Sequence, residues 1–111
     1  MLLAFLPSEE LEGALTRIAF DRRGPNTIVT PDALMSELRR VREAGFAISN
    51  EELAYGLRSI AAPVLSREGR AVAAINLAVH SSMASVEDLA ANLGERLRRA
   101  AADVSEHLGY R

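Results

Sequence analysis

From Ala71 to His80 the side chains alternate, as in a strand with two unlike faces. Val72, Ala74, Asn76, Ala78 and, just beyond, His80 fall on one face; Ala71, Ala73, Ile75, Leu77 and Val79 fall on the other. The second face is continuously apolar and should meet helices. Residues 58–65 form another apolar run, and Ser66-Arg67-Glu68-Gly69 between the two reads as a turn with glycine in a left-handed position. A hairpin over 58–65 and 70–79 is therefore expected. Phe46-Ala47-Ile48 adds a short strand, followed at Ser49-Asn50-Glu51-Glu52 by a turn or a single helical turn reaching Tyr55.

Helical spacing occupies the rest of the chain. Pro7-Ser8-Glu9-Glu10 reads as a helix start, with Ser8 placed to accept from free N–H groups and Leu11, Leu15 and Ile18 following. Asp21 to Asn26 reads as a loop. A second helix opens with Thr30 as N-cap and Pro31 at its first position, buries Leu34, Leu38 and Val41, and stops at Gly45. The last helix starts at Ser85, where Asp88 completes a capping-box pattern. Val86, Leu89, Leu93, Leu97, Ala100, Val104 and Leu108 then predict an apolar face of about six turns.

Composition narrows the function classes. The chain has 111 residues, 49% of them hydrophobic and 25% charged, which suits one globular domain. Its formal net charge is -2, against the basic balance expected of a free-standing nucleic-acid binder. No cysteine is present, so disulfides, thiolate zinc sites and cysteine nucleophiles are excluded; this fits a cytoplasmic location. The apolar run Met1 to Leu6 is too short to span a membrane and lacks the features of a signal peptide. An apolar run at the initiator suggests a chain that begins mid-domain.

The candidate chemistry is binding rather than catalysis. Small residues beside Asn76 leave room for a ligand, and the amide offers donors and an acceptor to orient it. The alternative is that Asn76 satisfies loop backbone and the alanines accommodate a helix. Ser59, on the partner strand, could lie near Asn76, but no G-x-S-x-G elbow or paired histidine makes it a nucleophile. His80 and His107 have no second histidine at metal-ligand spacing, so no metal site is expected. Glu51-Glu52 reads as a solvated turn. Arg96, Arg98 and Arg99 read as a solvated helix face. With only three Phe and two Tyr, no basic stripe is interleaved with aromatics for nucleic-acid contact.

Three strings, LLAFLPSEEL at 2–11, GFAISNEELAYGLRSIAAPV at 45–64 and GRAVAAINLAVHSSM at 69–83, resemble the C-terminal effector-binding domain of IclR-type bacterial transcription regulators. The INLAVH segment is similar to the branch controlling aromatic-acid catabolism: the protocatechuate, 4-hydroxybenzoate and beta-ketoadipate regulators. The resemblance implies a GAF-like domain that binds a small organic acid and mediates subunit association. It implies DNA binding only through a winged helix-turn-helix domain absent from this chain, and no enzymatic step, cofactor or membrane contact. Residues 1–111 would be a partial effector domain, lacking its first strands and the loop that donates backbone N–H groups to the ligand.

Residue by residue, the resemblance places Ser49 where the family often has Asp, Leu57 at a wall position and Ser59 at a small polar position. Asn76 and Ala78 fall on two pocket-facing positions that are serines in some members, which implies a larger or ring-containing acid. With His80, these are the candidate ligand-binding residues. The fold expected is α/β (α+β), a small antiparallel sheet with helices packed on one face. The alternative function is a structural or interaction domain that no longer binds a ligand.

Overall fold

The computed structural model describes residues 1–110. A 3-10 turn, η1 (Leu2–Phe5), leads into α1 (Ser8–Leu15), and a loop then reaches α2 (Pro31–Ala44). Three antiparallel strands come next, β1 (Ala47–Asn50), β2 (Leu57–Leu65) and β3 (Ala71–His80), in the order β1-β2-β3. The chain ends in a long helical segment: α3 (Val86–Asp88), a π-helical stretch (Leu89–Gly94) and α4 (Glu95–His107).

The local signals act as expected at most boundaries. Thr30 Oγ1 accepts from the Ala33 N–H with Pro31 at the first turn, and Gly45 ends α2 in a left-handed conformation. Ser85 and Asp88 form a reciprocal capping box. The hairpin turn closes through the Gly69 N–H to the Ser66 carbonyl, 2.9 Å. Three boundaries differ. α1 ends at Leu15, short of Ile18. Ser8 is the first residue of α1 rather than its cap; Pro7 takes the cap position, with no side-chain bond. Ser49 and Asn50 belong to β1, so the turn starts at Glu51, whose φ of 53° breaks the strand.

The α+β expectation is met, and the alternation of Ala47 and Ile48 shows how the layers are arranged. Ile48 packs with Ile60, Ala62, Val64, Leu89, Leu97 and Ala101, the core between the sheet and α4. Ala47 packs with Ala4, Leu38 and Val41, so η1 and α2 partly cover the opposite face. Helices therefore lie on both sides of the sheet rather than on one. Met1, Leu3 and Phe5 turn toward α2, leaving Leu2 as the exposed apolar residue of that segment.

The last helix departs from its expected stripe. Leu89 and Leu97 are buried, but the contact then runs through Ala101 and Ser105, while Ala100, Val104 and Leu108 face outward. The π-helical stretch puts an extra residue in one turn and so rotates α4 about its axis. Ser105 is buried and fully used: its hydroxyl donates to the Ala101 carbonyl, and its Oγ accepts from the Leu65 N–H, both at 2.8 Å. In β3, Ile75 and Val79 meet the core as expected, but Leu77 is exposed, and the register shifts between Val64 and Leu65.

Candidate functional site

The strand register builds a floor of small residues. Ser49 pairs with Ser59, and Ser59 with Ala78, so the three form one row across the sheet. Ala47, Ala61 and Asn76 form the next row, and Leu57 with His80 lies beyond the first. Directly opposed residues share a face. All six candidate residues therefore stand on the face away from α4. Ser59 lies opposite Ala78 rather than Asn76, which is one row further on.

This face carries two neighbouring concavities. The first, of about 260 Å³, has Ala47, Ser49, Ser59 and Ala61 on its floor. Leu3, Ile28, Leu34, Leu38 and Val41 wall it, and Met1, Glu37 and Glu52 rim it. The second is a shallow groove over Leu57, Ala78 and His80, bounded by Tyr55 and Gly56. Ser59 and Ala78, paired in the register, stand where the two adjoin. Asn76 is exposed on the same face, outside both.

His80 is held by its own turn. Its Nδ1 lies 2.8 Å from Ser82 Oγ and accepts from the Ser82 N–H at 3.1 Å, so the neutral ring carries its proton on Nε2. Nε2 lies over Gly56, where a Cβ would be only 2.8 Å away. A side chain at position 56 would push the imidazole out of the groove.

The turn from Glu51 to Gly56 is fixed by a segment distant in sequence. Asn26 Nδ2 donates to the Asn50 carbonyl at 2.7 Å, and the Asn26 N–H to the Glu51 carbonyl at 3.1 Å. The Thr27 hydroxyl contacts the Glu52 carbonyl. Gly24 sits so close that an added Cβ would lie 2.4 Å from the Glu51 carbonyl oxygen. From within the turn, Glu51 Oε1 accepts from the Gly56 N–H at 2.8 Å.

Two functional candidates emerge that the strand pattern did not show. Glu52, read as part of a solvated turn, rims the cavity, and burial raises its pKa above the usual carboxylate range, with Glu37 adding to the effect. Arg58 ties three elements together: Nε donates to Asn50 Oδ1 at 2.7 Å, and one guanidinium nitrogen to the Ser81 and Ala84 carbonyls at 3.0 and 2.8 Å. The sequence holds no local signal for either, because both depend on where the turn folds. Among the described residues, no cluster of three or more His, Asp or Glu could hold a metal, and no helix is long and apolar enough to cross a membrane.

Comparison with known proteins places this geometry. Residues 1–106 match the family "Bacterial transcriptional regulator IclR C-terminal". The chain is 36% identical over 110 residues to the HTH-type transcriptional regulator XynR of Escherichia coli K12, covering 99% of this chain and 43% of that protein. Among solved structures it is similar to the Thermotoga maritima IclR, with TM-score 0.92, 30% identity, and coverage of 98% of this chain and 44% of that one. It is also similar to the inducer-binding domain of the Acinetobacter transcription factor PobR, solved as a double mutant in complex with 3-hydroxybenzoic acid. There the TM-score is 0.85, the identity 27%, and the coverage 94% of this chain and 61% of that one. The chain thus spans less than half the length of XynR. Its relatives are named regulators and repressors of transcription. The match over nearly all its residues, together with the shared fold, makes this chain a member of the IclR C-terminal family, the effector-binding domain of bacterial transcription regulators.

Proposed function

We propose that this chain senses a small organic acid, an aromatic one, and transmits its binding through subunit association in a transcription regulator. The observation that carries the reading is the row Ser49–Ser59–Ala78, where a roomy sheet face opens into a walled cavity. Small floor residues with few polar groups suit a compact ligand held in one orientation. PobR, whose inducer-binding domain holds 3-hydroxybenzoic acid, supports the ligand class.

In this reading Ser49 and Ser59 supply hydrogen bonds, Leu57 and Ala78 supply surface for the ring, His80 closes the groove, and Asn76, one row further along the face, is left outside the ligand's contacts. Binding acts by differential affinity for two subunit arrangements. Among the described residues β3 lies at an edge of the sheet, and such edges invite pairing with another strand. The exposed Leu2, Val72 and Leu77 add apolar surface for association. DNA is read by a winged helix-turn-helix elsewhere in the regulator, which works in the cytoplasm.

Calorimetric titration of the chain with 3-hydroxybenzoate tests the reading. Saturable binding, abolished by Ser49→Leu with the circular dichroism spectrum unchanged, supports it. Absence of binding leaves the alternative, a structural domain that holds no effector.

A further inference from the structure

We propose that Arg58 is the positioning residue that carries effector binding from the sheet face through to the first turn of the last helical segment. This route rests on the effector-binding reading and describes how occupancy leaves the site.

The strand pleat places Arg58 directly behind the candidate site. In β2 it lies between Leu57 and Ser59, and alternation turns its side chain to the opposite face, the one that carries Ile60, Ala62 and Val64 into the core. Two of its hydrogen-bond partners also adjoin site residues along the chain: Asn50 follows Ser49, and Ser81 follows His80. Nε donates to Asn50 Oδ1 at 2.7 Å, and one terminal nitrogen donates to the Ser81 carbonyl at 3.0 Å. The same nitrogen donates to the Ala84 carbonyl at 2.8 Å, one residue before Ser85, the N-cap of α3. One side chain thus touches the end of β1, the turn after β3 and the start of the last helical segment.

The chemistry of this joint makes it stiff. A guanidinium is planar, so its nitrogens keep fixed relative directions. Hydrogen bonds from a charged donor are stronger than those between neutral groups. Among the described residues Arg58 makes no ion pair, and its half-buried charge rests on these three neutral oxygens. Moving one acceptor away leaves that charge less satisfied, so the three are held together. The backbone reinforces the link. The Ser81 N–H donates to the Gly56 carbonyl at 2.7 Å, and the Gly56 N–H donates to Glu51 Oε1 at 2.8 Å. The turns on both sides of the groove are thereby tied to each other and, through Arg58, to α3. A ligand that shifts Leu57, Ser59 or His80 shifts the guanidinium or Ser81 with them, and Ala84 follows. Past the capping box, Leu89 is fully buried at the head of the π-helical stretch, so a shift of this first turn is felt where helix packs on sheet.

Amide chemical shifts followed by NMR during titration with 3-hydroxybenzoate test the proposal in the unaltered chain, in Arg58→Lys and in Asn50→Ala. Lysine keeps the charge, but its ammonium lacks the fork that spans the three acceptors. Asn50→Ala removes one acceptor and leaves Arg58 in place, a milder break that decides the matter if Arg58→Lys fails to fold. In the unaltered chain Glu87, Asp88 and Leu89 should show smaller shifts with the same midpoint as Ser59 and Ala78. In the variants Ser59 and Ala78 should still titrate, with affinity within about threefold, while the shifts at residues 87–89 fall to about half or less. A merely structural arginine would lower affinity and thermal midpoint together and leave the ratio of the two sets of shifts unchanged. That unchanged ratio, or silence of residues 87–89 in the unaltered chain, overturns the proposal while leaving the effector-binding reading standing. No saturable shift anywhere in the unaltered chain overturns both.

Discussion

Ser49 and Ser59 face each other across the β1–β2 register, and both border the cavity that Glu52 rims. Two short polar side chains in that position leave space where larger ones would leave a packed sheet face. Replacing Ser59 by Leu should fill that space. Binding of 3-hydroxybenzoate by calorimetry should be lost, while urea unfolding shifts by no more than about 1 kcal/mol, since the cavity has room for the added atoms. Retained binding would remove Ser59 from the site.

The clamp between Gly24 and the turn after β1 predicts a stability effect far from any core. Gly24→Ala would place a Cβ against the Glu51 carbonyl oxygen, a backbone atom with no flexible side chain to yield. A loss of about 1–3 kcal/mol in urea unfolding is expected, as for other overpacked sites. Gly13→Ala, where a Cβ meets nothing within 4 Å, should show no comparable loss.

Ser105 joins α4 to the end of β2 and predicts the cost of breaking that link. Ser105→Ala leaves the Leu65 N–H without its acceptor in a part-buried position. A loss of about 1–3 kcal/mol is expected from denaturant unfolding. Ser36→Ala, at an exposed position of α2, should be close to neutral.

Glu52 predicts a pH dependence with a definite sign. Its folded-state pKa is raised, so the folded chain binds this proton more tightly than the unfolded one. Its charged form thus opposes folding above the folded pKa, and the penalty fades as pH falls through that pKa toward the ordinary carboxylate value. Glu52→Gln should raise the thermal midpoint at pH 7 and make little difference near pH 4. Differential scanning calorimetry at both values checks this; the reverse pattern would contradict the burial of Glu52.

Much of this fold was legible in the sequence because its signals are local. Thr30-Pro31 and Gly45 bound α2, Ser85 and Asp88 cap α3, and alternation put Ile75 and Asn76 on opposite faces of β3. The end of the last helix was not legible. Ala100 and Ala101 are equally apolar, and only the π-helical stretch before them decides which one packs. The helices on the second face were missed because Leu34, Leu38 and Val41 announce a buried stripe without naming what covers it.

At the site, strand periodicity placed Asn76 and Ala78 on one face, and the register extends that face to Ser49 and Ser59. Glu52 was hidden because its position is set by the left-handed Glu51 and by contacts with Gly24, Asn26 and Thr27, about 25 residues away. Arg58 reads as an ordinary strand residue until Asn50, Ser81 and Ala84 converge on it.

The central claim is that the small-residue face of the sheet is where the effector binds. Amide chemical shifts monitored by NMR during titration with 3-hydroxybenzoate test it most directly. The account predicts saturable shifts concentrated at Ser49, Ser59 and Ala78, with Glu52 moving alongside them. Shifts concentrated instead at the cleft between Phe5, Arg98 and Tyr110, or no saturable shift at all, would contradict it.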